Sequence, residues 1–199
     1  MADYTAIADV SGTLINLLRS NMGDLIANPN SSIILCSPGE VEDNAIRLSL
    51  FMYRIEENDY LRNREMQQIN SNILKNPPLT LDLFYMLTAY SPIDDPTEQT
   101  IEEHKILGMA MRILYDNAIL RGSVLQGSLA GTDSELRIIL TMMSMENVTQ
   151  MWSSFQDKPY KPSAFYQVTP VAIDSMRQQS IQRIVEKDIQ FKLSFQKKF

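Results

Sequence analysis

Hydrophobic and polar positions alternate along this chain in two rhythms, one near 3.6 residues and one of two, and each rhythm predicts an element. Over residues 5–27, Ile7, Val10, Leu14, Leu17, Leu18 and Leu25 recur at helical spacing with polar residues between them, so an amphipathic opening helix is expected. Asn28-Pro29-Asn30-Ser31-Ser32 breaks it, and Ile33-Ile34-Leu35-Cys36 reads as a short buried strand stopped by Ser37-Pro38-Gly39. Residues 47–56 alternate as the next strand, with Leu48, Leu50 and Met52 opposite Phe51, Tyr53 and Ile55.

Residues 77–120 are the scaffold of the prediction. Leu79, Leu81, Leu83, Tyr85 and Leu87 fall on one side of a strand and Phe84, Met86 and Tyr90 on the other, so both faces are buried and the strand is central in its sheet. Asp95, Pro96 and Glu98 then supply an N-cap, a first-turn proline and a capping-box acid for a helix running to Leu120. Before this unit, residues 57–76 are polar, rich in Asn and Gln and without a sustained period, which predicts a long mobile loop.

After it, Gly122, Gly127 and Gly131 mark a flexible, turn-rich connection into a strand over 135–141. Ser144 caps a short helix whose stripe of Val148, Met151, Trp152 and Phe155 places the tryptophan in the core. Residues 163–173 form a strand that Pro170 assigns to an edge or a bulge. Residues 176–187 fit helix or strand, whereas Ile189, Phe191, Leu193 and Phe195 alternate with polar residues as a terminal strand. A strand with one apolar face must pair, in its own sheet or in a neighbour's. The fold class predicted is α+β, a mainly antiparallel or mixed sheet with flanking helices, in a domain over 1–175 followed by an extension over 176–199.

Composition narrows the function. The 199 residues, 44% hydrophobic and 21% charged, suit one domain with an appendage, and no apolar run approaches the roughly 18 residues of a membrane span. A net charge of −6 disfavours nucleic acid as a partner. The single cysteine, Cys36, leaves no internal disulfide and no multi-cysteine metal site. The opening MADYTAIADV has acids where a signal peptide has basic residues, so synthesis and assembly in the cytoplasm are expected.

Catalytic chemistry finds little support. The one histidine, His104, stands beside Glu102, Glu103 and Lys105 on a helix face that reads as solvated. The glycines of 121–133 lack both the GxGxxG spacing and a following Lys-Ser or Lys-Thr, so they do not form a phosphate loop. Asp94, Asp95, Glu98, Glu102 and Glu103 are explained by helix capping and the helix dipole without a metal. The methionines, Met109, Met111, Met142, Met143, Met145 and Met151 among them, read as core filling. No catalytic residue, cofactor or metal is therefore assigned. Interaction surfaces are expected at the 57–76 loop with Arg62 and Arg64, at Gly122, Gly127 and Gly131, and along Ile189, Phe191, Leu193 and Phe195.

Four phrases carry a resemblance: PPLTLDLFYMLTAYSP (77–92), EEHKILGMAMRILYDN (102–117), LQGSLAGTDSELRIIL (125–140) and MWSSFQDKPYKPSAFYQVTPVAIDS (151–175). In this order they resemble the cap-protein family of phage-tail-like contractile injection systems, itself similar to phage tail terminators. The resemblance implies a structural, non-enzymatic protein: a homo-oligomer, expected to be a hexameric ring, on the distal end of the inner tube. It implies inner tube and sheath proteins as partners, with polymerisation of both ended there, and a contractile particle that is released or membrane-associated without inserting directly into the membrane. The competing readings are a baseplate or tube adaptor of the same particle and a metal-assisted hydrolase using Asp94, Asp95 and His104.

Overall fold

An eleven-residue strand, β5 (Leu79–Ala89), forms the middle of a six-stranded sheet whose order is β1-β2-β5-β8-β7-β6. The structure, a computed structural model, describes residues 3–62, 64–70 and 73–180. Around β5 lie β1 (Ile33–Leu35), β2 (Leu48–Glu57), β6 (Ile119–Arg121), β7 (Glu135–Thr141) and β8 (Ser163–Ile173). Only β1 and β2 run parallel; every other neighbouring pair is antiparallel. The fold is α+β, as the mixture of periods predicts.

The doubly apolar pattern of β5 does what it implies. Leu81, Leu83, Tyr85, Leu87 and Ala89 join a large core on one face, under α1 (Ala6–Asn21) and α3 (Pro96–Asp116). α1 contributes Ala6, Val10, Leu14 and Leu18, a ridge at spacing four, and α3 contributes Ile106, Ala110, Ile113 and Leu114. Met86 faces the other way into a smaller core with Val148, Trp152 and Phe165, under α4 (Met145–Ser153). Each large side chain so buried contributes about 1.5–3 kcal/mol relative to exposure, and the buried Thr88 of β5 shares a hydrogen bond with Ser163 of β8 (2.9 Å).

Several boundaries differ from the sequence reading. α1 stops at Asn21, not near 27, although Met22 and Ile26 stay in the core; Asn28, at φ 51, then turns the chain into a one-turn helix, α2 (Pro29–Ser32). β1 ends at Leu35, and Cys36 is half-buried beyond it. α3 ends at Asp116 rather than Leu120, because Asn117 caps it and turns its amide back to the carbonyl of Ile113 (2.8 Å), freeing Ile119–Arg121 to pair with β7. Pro170 lies where β8 bulges against β5 and where the β7 ladder ends at Thr169, so an interior strand accommodates it.

Residues 57–76 are not a single loop. β2 continues to Glu57, and β3 (Gln67–Asn70) and β4 (Ile73–Lys75) pair antiparallel, with β9 (Gln178–Ser180) on the other side of β4. These strands are short and mostly polar, so no alternation announces them; ladder bonds, not apolar burial, define them. The chain divides into two units, 1–63 with 78–174 and 64–77 with 175–199, and this three-stranded sheet belongs to the second. The predicted terminal strand, 189–195, lies outside the described residues.

Candidate interaction surfaces

The connection between β6 and β7 is held in place rather than free. It contains two 3-10 turns, Gly122–Val124 and Gly127–Leu129, and it buries Leu125 and Leu129 in the large core. Asp9, in the first turn of α1, accepts hydrogen bonds from the Ser128 backbone N–H (2.9 Å), the Ser128 hydroxyl (2.7 Å) and the Thr5 hydroxyl (2.9 Å). Burial pushes the Asp9 carboxyl up, but the Ser128 and Thr5 bonds outweigh it and hold the group below its ordinary 3.8. The Gln126 N–H donates to the Thr13 hydroxyl (3.2 Å), and the Asn16 amide donates to the Gln126 side chain (2.7 Å).

The three glycines named from the sequence all have positive φ: 64° at Gly122, 58° at Gly127 and 69° at Gly131. At Gly127 the requirement is double, since a Cβ there would stand 2.0 Å from the Asp9 Oδ1. Gly122 and Gly131 face open space. Gly127 is thus a structural joint with α1, and Gly122 and Gly131 are bends on an accessible surface.

Arg62 is exposed and stands 3.4 Å from Glu57; Arg64 is exposed in the second unit. Ile189, Phe191, Leu193 and Phe195 lie outside the described residues.

Three acids of the cluster, Asp95, Glu102 and Glu103, serve the structure. Asp95 accepts from the N–H groups of Thr97 (3.0 Å) and Glu98 (2.9 Å) as the N-cap of α3. Glu102 pairs with Arg47 and accepts from the Ser91 hydroxyl; burial raises its carboxyl, while Ser91 and Arg47 together bring it below the ordinary value of 4.5. Glu103 pairs with Lys161 at 2.6 Å. His104 is exposed on α3, and among the described residues no group of three or more His, Cys, Asp and Glu is placed to hold a metal. Burial, then the charge of Glu40, pushes the Cys36 thiol up, away from the reactive thiolate. Among the described residues no helix is long and apolar enough to cross a membrane.

Two surfaces were missed by sequence reasoning. The first is an apolar cleft of about 310 Å³ between the end of α3 and β7, lined by Met111, Leu114, Tyr115, Ile138, Leu140 and Tyr166 with Arg112 at its side. Burial pushes the Tyr166 phenol up to about 12, so it stays neutral. The second is the corner after β7, where Met142 (98% exposed) and Met145 (63% exposed) face solvent, contrary to the core-filling reading of those two residues. Leu136, Ile138 and Leu140 alternate along β7, but only the neighbouring elements decide that the row runs out of cover at Leu140.

Known proteins add the following. Two cryo-EM structures share the fold: the sheath/tube terminator of the PVC extracellular contractile injection system in its extended state, and the tube-terminating cap of the anti-feeding prophage. For the first the TM-score is 0.66 at 18% identity, covering 98% of this chain and 67% of that one. For the second it is 0.63 at 19% identity, covering 92% of this chain and 61% of that one. Among curated protein sequences none matches. The model of the Pvc16 N-terminal domain matches residues 9–187, nearly the whole length, and the chain belongs to that family.

Proposed function

We propose that this protein is the cap, or terminator, of a contractile injection particle. It sits on the distal end of the inner tube, ends polymerisation of tube and sheath, and anchors the last sheath layer. The observation that carries this reading is the family match over 9–187 on a fold that both terminator structures share. The role is structural and non-enzymatic, in keeping with Asp95, Glu102 and Glu103 being committed to capping and ion pairs.

Inner tube and sheath proteins are the partners, and copies of the chain close into a ring, expected to be a hexamer. A closed ring needs two different side patches on each subunit as well as a face for the tube. Arg62, Arg64 and the Gly122 and Gly131 bends are candidates for these contacts. Assembly in the cytoplasm is part of the same proposal.

The test is electron microscopy of particles made with a labelled copy and without the protein. The label is expected at the end opposite the needle tip, and omission is expected to give tubes of uncontrolled length with frayed sheath. A label at the needle end would assign the chain to the baseplate instead, and unchanged particle length without the protein would refute the cap role.

A further inference from the structure

One aromatic residue of the first unit is held out like a peg. Tyr60, 95% exposed, follows β2 in a turn that Asn58 fixes from beneath. The side-chain oxygen of Asn58 accepts from the N–H groups of Tyr60 (3.1 Å) and Leu61 (3.1 Å), a turn that asparagine favours. Its amide donates to Asp82 of β5 (2.8 Å) and Thr169 of β8 (3.2 Å), and its backbone N–H donates to the Thr80 carbonyl (2.8 Å). Asn58 is 8% exposed, so the tether is buried while the ring it carries is not. An aromatic side chain on a pre-ordered turn gives up little conformational freedom on docking. Beside it, Asp59 is exposed and forms no ion pair among the described residues.

The cleft between α3 and β7 has the complementary make-up. Met111, Leu114, Tyr115, Ile138, Leu140 and Tyr166 line a space of about 310 Å³, room for one aromatic side chain. Arg112 stands at its side, exposed, with its guanidinium 2.8 Å from the Met109 sulfur and no ion pair among the described residues. An apolar hole beside an unpaired cation selects an apolar side chain with a neighbouring acid.

We infer that the Asp59-Tyr60 turn of one copy docks in this cleft on a second copy, the Tyr60 ring entering the apolar space and the Asp59 carboxylate meeting Arg112. Turn and cleft cannot meet within one copy. Asp82 lies between Leu81 and Leu83, which face the large core, so Asn58 is tied to the opposite face of the sheet, whereas Ile138 and Tyr166 of the cleft belong to the large core. β5 and β8 also stand between β2 and β7, a separation of about 14 Å at one strand spacing per step. Tyr4 is exposed and follows an acid as well, but Asp3 is engaged by the N–H of Tyr4 itself (2.7 Å).

This inference rests on reading the chain as a repeated subunit. The two surfaces differ, so each copy inserts into one neighbour and receives another, a head-to-tail contact of the kind that closes into a ring.

Photocross-linking tests it. In the full chain, benzoylphenylalanine replaces Tyr60, which keeps an aromatic ring on the turn, or replaces Tyr4 as the control, and linked peptides are identified by mass spectrometry. Linked dimers are expected about tenfold or more above the control, joined from position 60 to peptides containing 111–118 or 138–140, since docking holds the ring at high effective concentration. A yield no greater than the control, or links that land elsewhere, overturns the inference. Charge reversal gives a second reading. Asp59→Arg and Arg112→Asp should each weaken self-association in sedimentation velocity about tenfold, and the chain carrying both should recover it, which a folding defect would not do. A double variant as weak as the single ones overturns the inference as well. Capped particles whose copies never link from position 60 would sink this contact alone, and linked copies that never cap particles would sink the cap role alone.

Discussion

At the scale of residues, the joint between Asp9 and the Gly127-Ser128 turn binds the start of α1 to the far side of the chain. Its energetics have two separable parts. A non-glycine residue at φ 58 costs about 1–2 kcal/mol, and a Cβ 2.0 Å from Asp9 also displaces a carboxylate that accepts three hydrogen bonds. Gly127→Ala is therefore expected to lower the urea unfolding free energy by about 2–4 kcal/mol. Asp9→Asn keeps the shape, loses the charge, and is expected to cost about 1–2 kcal/mol near neutrality. The sign with pH follows from the direction of the shift. Because Asp9 ionises more readily folded than unfolded, its contribution is complete above the ordinary value of 3.8 and is lost as the pH falls through the folded value. Wild type and Asp9→Asn should thus converge in strong acid, and a gap that stays constant with pH would contradict this account. The sequence announced Gly127 as a turn residue but gave no sign of Asp9, because the two are 118 positions apart and only the tertiary fold makes them neighbours.

At the scale of elements, α4 shows what periodicity can and cannot tell. The Ser144 cap, with its hydroxyl accepting from the Asn147 N–H (3.3 Å), and the stripe through Trp152 were both legible, since capping and amphipathicity are local. β3, β4 and the true end of α3 were not, since a strand of three or four residues or a strand following Asn117 is decided by its partner. Nor was it legible that the Trp152 indole N–H is buried without an acceptor among the described residues. Its ring makes edge contacts with Phe155 (5.5 Å) and Tyr160 (5.7 Å), so the residue contributes by shape alone. Trp152→Ala is expected to cost about 3–5 kcal/mol through the cavity it leaves. Trp152→Phe should cost less than about 1.5 kcal/mol, because the lost volume is offset by removing an unpaired donor. As the chain's one tryptophan, Trp152 should also report the loss of α4 packing in the wild type by a red shift of its emission. Equal losses for the two substitutions would mean that the N–H has a partner after all.

At the scale of the whole molecule, both hydrophobic cores are assembled from residues of 1–63 and 78–174, on the two faces of one six-stranded sheet. Among the described residues, those that cluster with Leu83, Tyr85 and Leu87 on one face and with Met86 on the other all precede Asp174. A chain ending at Lys187, the last residue the family model matches, separates folding from association. It should keep the urea midpoint and the tryptophan emission of the full chain, because both report on the cores. Its self-association, measured by sedimentation velocity across a range of concentrations, is expected to fall, because the sequence places a candidate interaction surface at Ile189, Phe191, Leu193 and Phe195. A lowered midpoint would show that residues 188–199 complete the fold of their own copy. Undiminished self-association would leave the contact between copies to the apolar cleft beside Leu140 and Tyr166.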